Sequence, residues 1–116
     1  MSALTAEHRL ATYGTLAPGK PNHPVVAEIG GHWLKGTVIG RLYAEGWGAD
    51  QGCPGMVPDP AGEAIAVDVL EAVELTAHWM RLDAFEGHEY ERIILSVTLS
   101  GGAVMDCSIY ALRRSP

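Results

Sequence analysis

Apolar and polar positions alternate most regularly in the last third of the chain. Over the segment from Tyr90 to Leu99, one face carries Ile93, Leu95, Val97 and Leu99, and the other carries Tyr90, Arg92 and Ile94. A period of two residues predicts a half-buried strand. Ser100-Gly101-Gly102 then predicts a tight turn, after which Val104 to Leu112 returns as an antiparallel partner.

Three further extended segments and a long loop precede this hairpin. The predicted strands are Arg9–Thr12, Gly36–Ala44 and Ala64–Leu70. Gly40 lies inside the second strand, which indicates a bulge or a close backbone approach. Residues Glu45–Gly62 are rich in glycine and proline, so we expect a long loop or a loop with one short strand. Loops of that length in small domains tend to be functional.

The period changes to that of a helix between the third strand and the hairpin. Leu75, Trp79 and Leu82 fall on one helical face and predict a helix from about Val73 to Phe85. A short helix is expected over Pro24–Ile29, capped by Asn22 and ended by Gly30-Gly31. Five or six strands, one main helix and a mostly antiparallel order predict an α+β fold whose sheet curls into a small barrel. With 116 residues, we expect a single domain, 1–116.

The next position on the apolar stripe is a carboxylate, Glu86. Its offset of eleven residues from Leu75 places it within about 40° of the same face. Gly87 is a plausible left-handed cap, so Glu86 would lie beside the negative end of the helix. Burial and the dipole both raise a carboxylate pKa towards the value that a general acid or base needs. We therefore predict Glu86 as the catalytic group; a solvated last-turn glutamate is the alternative for this segment alone.

Composition excludes several classes of function. The formal net charge is −6 without a local basic run, which disfavours nucleic acid as a partner. Apolar stretches are too short to span a membrane. The N-terminal residues lack the features of a signal peptide, so a cytoplasmic location is expected. Cys53 and Cys107 are expected to be free thiols in a reducing compartment, although their spacing leaves a disulfide open.

Other candidate chemistry has weaker support. Tyr13-Gly14-Thr15-Leu16 follows a strand, and successive backbone N–H groups there could form an anion-binding concavity; an ordinary strand-end turn is the alternative. No pair of the five histidines has metal-ligand spacing, so no metal is expected. The glycines of the turn fit neither a Walker loop nor a dinucleotide fingerprint, and no cofactor is expected. Neither cysteine has a base near it in sequence. The three tryptophans are expected in the core or a pocket wall: Trp33, Trp47 and Trp79.

Taken together, the motifs resemble those of the γ-glutamylcyclotransferase-like superfamily. The order and spacing match from Tyr13 to Tyr110, and the ordered set is more specific than any one motif. The matching segments are the turn Tyr13–Leu16, the strand Gly40–Tyr43, the pairs Pro54-Gly55 and Gly62-Glu63, the motif Leu82–Gly87 and the motif Tyr90–Arg92.

The resemblance implies a small mixed β-barrel with flanking helices and an intramolecular reaction. A γ-glutamyl amine or γ-glutamyl amino acid would be cyclised to 5-oxoproline, with release of the free amine. Glu86 would be the acid/base. The turn that begins with Tyr13 would bind the glutamyl group through the backbone amides of Gly14, Thr15 and Leu16. Tyr90 would border the same pocket.

The resemblance identifies neither the amine that is released nor whether this member of the superfamily is active. The loop from Glu45 to Met56 is expected to hold the leaving group, and its acids, Glu45 and Asp50, would favour a cationic amine if they are not simply solvated. Because one fold hosts different functions, a non-catalytic small-molecule or partner-binding module is the alternative. The oligomeric state is not predicted.

Overall fold

The computed structural model describes residues 4–43 and 55–113. Within these ranges six strands form one sheet, and the helices are short. The strands are β1 (Arg9–Thr12), β2 (His32–Tyr43), β3 (Gly55–Pro58), β4 (Glu63–Glu71), β5 (Tyr90–Leu99) and β6 (Val104–Leu112). The helices are α1 (Pro24–Ala27), α2 (Trp79–Glu86) and two 3₁₀ segments, Ala6–His8 and Val73–Ala77.

The sheet closes into a barrel. The strand order is β3-β2-β4-β1-β6-β5, and β5 pairs back onto β2 through Gly36 with Leu99 and Thr37 with Thr98. Five strands therefore form the described ring, and β3 extends it at the edge of β2. β1 and β6 run parallel, whereas the other pairs are antiparallel. The predicted α+β architecture with a mixed, mostly antiparallel barrel is confirmed.

The alternation of apolar residues along the strands builds two cores. Neighbouring residues of a strand point to opposite faces of the sheet, so Leu10 and Ala11 of β1 belong to different clusters. One cluster is formed by strand residues that include Val38, Val67, Val97 and Ile109. The other joins strand residues to the helical segments and includes Leu70, Leu75, Trp79, Leu82 and Tyr110. This second core fixes α2 against the barrel.

The main helix differs from its prediction. Instead of one helix over residues 73–85, a 3₁₀ segment ends at Ala77 and α2 begins at Trp79. The first segment contains the β-branched residues Val73 and Thr76, which have low helix propensity. Ala72, directly before this segment, donates its backbone amide to the carbonyl oxygen of His8. This hydrogen bond ties the start of the segment to the N-terminal 3₁₀ segment. The predicted stripe of Leu75, Trp79 and Leu82 is nevertheless buried.

Other element boundaries also shift. β2 begins at His32, four residues before the predicted start, because residues 32–35 pair with residues 68–71 of β4. α1 ends at Ala27 rather than Ile29, and Asn22 does not cap it. The predicted close approach at Gly40 is confirmed, since a Cβ atom there would lie 2.6 Å from the carbonyl oxygen of Val57. None of the helices in the described ranges has the length and apolar character needed to cross a membrane.

Candidate active site

Glu86 is the last residue of α2. Trp79 and Leu82 on the same stripe are buried against the barrel, and the Glu86 side chain is half-buried. Burial raises the pKa of Glu86 from its ordinary value of 4.5 to about 7. A carboxyl group with this pKa exists in both protonation states near neutral pH, so it can accept a proton and also donate one.

Gly87 ends α2 with a backbone conformation that favours glycine. Its φ angle is +80°, and its amide donates to the carbonyl oxygen of Asp83 over 3.1 Å. The ψ angle of −179° is extended, however, so Gly87 is not in the left-handed helical conformation that we predicted. The extended ψ directs the chain away from α2 towards β5.

Asp83 lies three residues before Glu86 in the last turn of α2, and side chains from two strands bind it. Arg92 of β5 donates from Nε to Asp83 Oδ1 at 2.9 Å and from Nη2 to Oδ2 at 3.2 Å. The Tyr110 hydroxyl of β6 donates to Asp83 Oδ1 at 2.6 Å. Burial raises the pKa of Asp83, but these hydrogen bonds and the guanidinium charge outweigh it, so the pKa of Asp83 is lowered.

Two carboxyl groups in the last turn of α2 therefore differ in protonation. The pKa of Asp83 is below its ordinary value, whereas that of Glu86 is about 7. Burial, followed by the hydrogen bond to Asp83, raises the pKa of Tyr110, and the charge of Glu86 adds to this effect. Asp83 thus remains an ion near neutral pH, and Glu86 is the group that can exchange protons there.

Tyr13 begins the turn after β1, and its hydroxyl connects three elements. It donates to the carbonyl oxygen of Tyr110 in β6 at 2.8 Å and accepts from the amide of Met56 in β3 at 3.0 Å. The Tyr13 side chain thereby holds the start of the turn against the barrel. Tyr110 is the structural link, because its hydroxyl reaches the helix that carries Glu86.

The rest of the turn is fixed by side chains that follow it. The Asn22 side chain donates from Nδ2 to Thr15 Oγ1 at 2.7 Å, and the Asn22 backbone N–H donates to the carbonyl oxygen of Thr15 at 2.9 Å. The Gly14 amide donates to Thr12 Oγ1 at 3.3 Å. Among the described residues, no acceptor receives a hydrogen bond from the amides of Thr15 or Leu16. Both residues are buried, so these two amides lack, among residues 4–43 and 55–113, the hydrogen bond that buried backbone donors usually make.

The predicted site residues are divided between two clefts, and Glu86, Thr15 and Leu16 are not among the residues that line either of them. A cleft of about 630 Å³ is lined by residues that include Asp83, Gly87, Tyr90, Arg92 and Tyr110. Another cleft, of about 520 Å³, includes Tyr13 and Gly14 with residues of β2, β4 and β5. Leu16, Tyr90 and Tyr110 also share one apolar cluster, and Phe85 packs against it.

Several predicted features cannot be placed in this site. Glu45, Trp47, Asp50, Cys53 and Pro54 lie outside the described residues. Cys107 is buried in the barrel, where burial raises its thiol pKa to about 11. In the described part of the chain, no group of three or more His, Cys, Asp or Glu side chains is placed to hold a metal ion.

Sequence reasoning missed the connection of Asp83 with Arg92 and Tyr110. Asp83 and Arg92 belong to the two motifs around Glu86, but their spacing does not show that β5 passes beside α2. Asn22 was also misassigned, because its side chain binds Thr15 rather than capping α1. Both interactions depend on which segments the barrel brings together.

Solved structures of other proteins share this fold. An AIG2-like protein of Mus musculus superposes with a TM-score of 0.71 at 24% identity, and the match covers 94% of this chain and 80% of that one. YkqA of Bacillus subtilis gives a TM-score of 0.70 at 28% identity over 93% of this chain, which spans 36% of YkqA. A protein of Arabidopsis thaliana gives 0.70 at 17% identity over 90% of this chain and 61% of that one.

The family comparison covers most of the chain. A search of the curated proteins finds no significant match. Residues 10–116, however, match the family described as Gamma-glutamyl cyclotransferase, AIG2-like, and this range includes both the turn after β1 and Glu86. The chain therefore belongs to the AIG2-like γ-glutamyl cyclotransferase family.

Proposed function

We propose that this protein cyclises a γ-glutamyl amine or γ-glutamyl amino acid to 5-oxoproline and a free amine, with Glu86 as the general acid/base. The observation that carries the proposal is the half-buried carboxyl group of Glu86, whose pKa is raised to about 7. Membership in the γ-glutamyl cyclotransferase family supports the substrate class. In this proposal the raised pKa allows Glu86 to accept a proton and to donate one during the reaction.

The reaction needs one proton acceptor that later becomes a donor. The Glu86 carboxylate takes a proton from the substrate α-ammonium group, and the resulting amine attacks the γ-carbonyl carbon. A new C–N bond closes the five-membered ring. The original amide C–N bond then breaks as Glu86 returns the proton to the leaving nitrogen. The ring nitrogen gives its second proton to the regenerated Glu86 carboxylate, which passes it to the released amine, so that the ring ends as a lactam N–H and the amine departs as an ammonium ion. Because the nucleophile is tethered to the carbonyl, its effective concentration is high without a covalent enzyme intermediate.

The turn after β1 would bind the glutamyl part of the substrate. The amides of Thr15 and Leu16 can donate to a carboxylate or to the carbonyl oxygen on which charge develops. Hydrogen bonds from Asn22 and Tyr13 hold the turn without occupying these two donors. Tyr90, buried at the start of β5, would contribute an apolar wall.

The test is formation of 5-oxoproline from a panel of γ-glutamyl amines and γ-glutamyl amino acids, measured by mass spectrometry. We expect Glu86→Gln to lower kcat by ~10²–10⁴-fold, because an amide keeps the shape of the side chain but cannot transfer the proton. Substrate binding, measured by calorimetry, should be largely retained.

Glu74→Gln provides the matched control. Glu74 is an exposed glutamate in the 3₁₀ segment before α2, so the same substitution there should leave kcat unchanged. Near-parental turnover by Glu86→Gln would contradict the proposed mechanism. Substrate binding without any 5-oxoproline from the parent protein would favour the non-catalytic binding module instead.

A further inference from the structure

The position of Glu86 depends on contacts made by other residues. α2 has only eight residues, and a helix of that length is not stable in isolation. Its last turn carries two acids and no basic residue, although the negative end of the backbone dipoles favours positive charge. Tertiary contacts must therefore hold this turn in place.

Two strand residues each contact both the first residue and the last turn of α2. The Arg92 guanidinium lies 4.3 Å from the centroid of the Trp79 ring and binds both carboxylate oxygens of Asp83. The Tyr110 ring meets the same indole edge-on, at 6.3 Å between centroids, and its hydroxyl donates to Asp83. Both residues therefore connect the beginning of α2 with its last turn.

This arrangement fixes the rotation of α2 as well as its location. Trp79 and Asp83 are four residues apart and so occupy one face of the helix. The Trp79 indole also donates to the Glu7 carbonyl oxygen at 2.9 Å, which anchors the beginning of α2 to the N-terminal segment. Glu86 lies three residues beyond Asp83, so a rotation or fraying of the last turn would displace both carboxyl groups.

We propose that Arg92 is a positioning residue for Glu86, which it holds at its half-buried place by joining Trp79 to Asp83 with the help of Tyr110. The catalytic part of this inference rests on the proposed function. The bidentate geometry is essential, because the two guanidinium nitrogens set the orientation of the Asp83 carboxylate as well as its distance.

The expected signature is a change in the pKa of Glu86. If Arg92 no longer holds the last turn, Glu86 becomes more solvated and its pKa falls from about 7 towards 4.5. Charged and titratable groups beside this turn come from every adjoining element. They are Asp83 of α2, His88 after it, Tyr90, Glu91 and Arg92 of β5, Tyr110 of β6, and Arg113.

Arg92→Lys is the informative variant. It keeps a positive charge opposite Asp83 but removes the bidentate contact, in which two guanidinium nitrogens bind the two carboxylate oxygens. We expect kcat to fall by ~10–10²-fold, because a displacement of about 1 Å can cost that much. The acidic limb of kcat/KM against pH should move at least about one pH unit towards acid. Carboxyl NMR should show the same shift for Glu86, whose signal is assigned by its loss in Glu86→Gln.

Arg9→Lys is the matched control. Arg9 binds Glu71 through Nε at 2.8 Å, at the start of β1 and remote in sequence from α2. The same substitution there should lower stability without moving the titration of Glu86. Tyr110→Phe removes one hydrogen bond to Asp83 and keeps the ring, so a smaller shift in the direction of Arg92→Lys is expected.

The outcomes separate this inference from the proposed function. An unchanged Glu86 titration in folded Arg92→Lys would reduce Arg92 to a general stabilising residue and overturn the inference. A shift towards higher pH would overturn it as well, because the charge of Asp83 rather than burial would then control Glu86. Absence of turnover in the parent protein would refute the proposed function, while the NMR titration would still decide the role of Arg92.

Discussion

Replacing Glu86 by glutamine tests burial of this side chain without any substrate. The parent carboxyl has a pKa of about 7 in the folded state, raised from an ordinary value of 4.5 by burial. Between these values the folded protein holds the proton and the unfolded chain does not. The stability that protonated Glu86 contributes to the parent is therefore fully present below about pH 4.5 and is lost progressively as pH rises through about 7.

The size of the effect follows from the two pKa values. One pH unit corresponds to 1.36 kcal/mol per proton, so the interval from 4.5 to about 7 amounts to a loss of about 3 kcal/mol in the free energy of unfolding. Glutamine does not titrate. The stability of Glu86→Gln relative to the parent should therefore rise by up to this amount as pH increases through the interval and level off about one pH unit above 7.

Urea denaturation of both proteins, at half-unit steps from pH 4 to pH 8.5, measures this difference. All other titrating groups are common to the two proteins, so their contributions cancel when one curve is subtracted from the other. Glu74→Gln, at an exposed glutamate in the 3₁₀ segment before α2, serves as the control for the substitution itself. A flat difference for Glu86→Gln would mean that Glu86 is an ordinary solvated glutamate, and the assignment of the acid/base would fail with it.

Two further predictions concern the turn after β1 and the barrel interior. Thr15→Pro should weaken substrate binding far more than Thr15→Ala, since proline removes the backbone N–H and alanine keeps it; equal affinities of two variants with equal Tm would refute the amide cradle. In a Cys53→Ser variant, Cys107 should react with a thiol reagent at pH 8 only as fast as the protein opens. This follows because Cys107 is fully buried with a pKa near 11, and rapid reaction without denaturant would contradict the prediction.

The sequence predicted the strands well where one face of the strand is buried. β5 has the predicted ends because residues 93, 95, 97 and 99 are buried or half-buried and the residues between them are exposed. β6 also has the predicted ends, although residues 107–112 are buried on both faces of the strand, and Ser100–Gly102 connects the two strands. The start of β2 was missed because pairing with β4, rather than an alternating pattern, makes residues 32–35 extended. Local propensity could not show which distant segment would supply the hydrogen bonds.

The candidate site was predictable in part for the same reason. Glu86 was proposed from its position on an apolar stripe, and the half-burial of its side chain agrees with that reasoning. The roles of Asp83 and Arg92 were not, because each is an ordinary surface residue type until β5 places the guanidinium beside α2. Tyr13 likewise gave no signal that its hydroxyl would connect β3 with β6.

The last turn of α2 explains why these residues belong together. Two acids at the negative end of a helix conflict with its dipole, and burial adds to the cost of ionising either one. The protein resolves the conflict differently for each acid: Arg92 and Tyr110 stabilise Asp83 as an ion, while Glu86 keeps a pKa of about 7. Burial of Trp79 and Leu82 supplies the apolar contacts that hold this unfavourable turn against the barrel. A local conflict that the rest of the fold sustains is typical of a functional site, and here it leaves Glu86 able to exchange a proton near neutral pH.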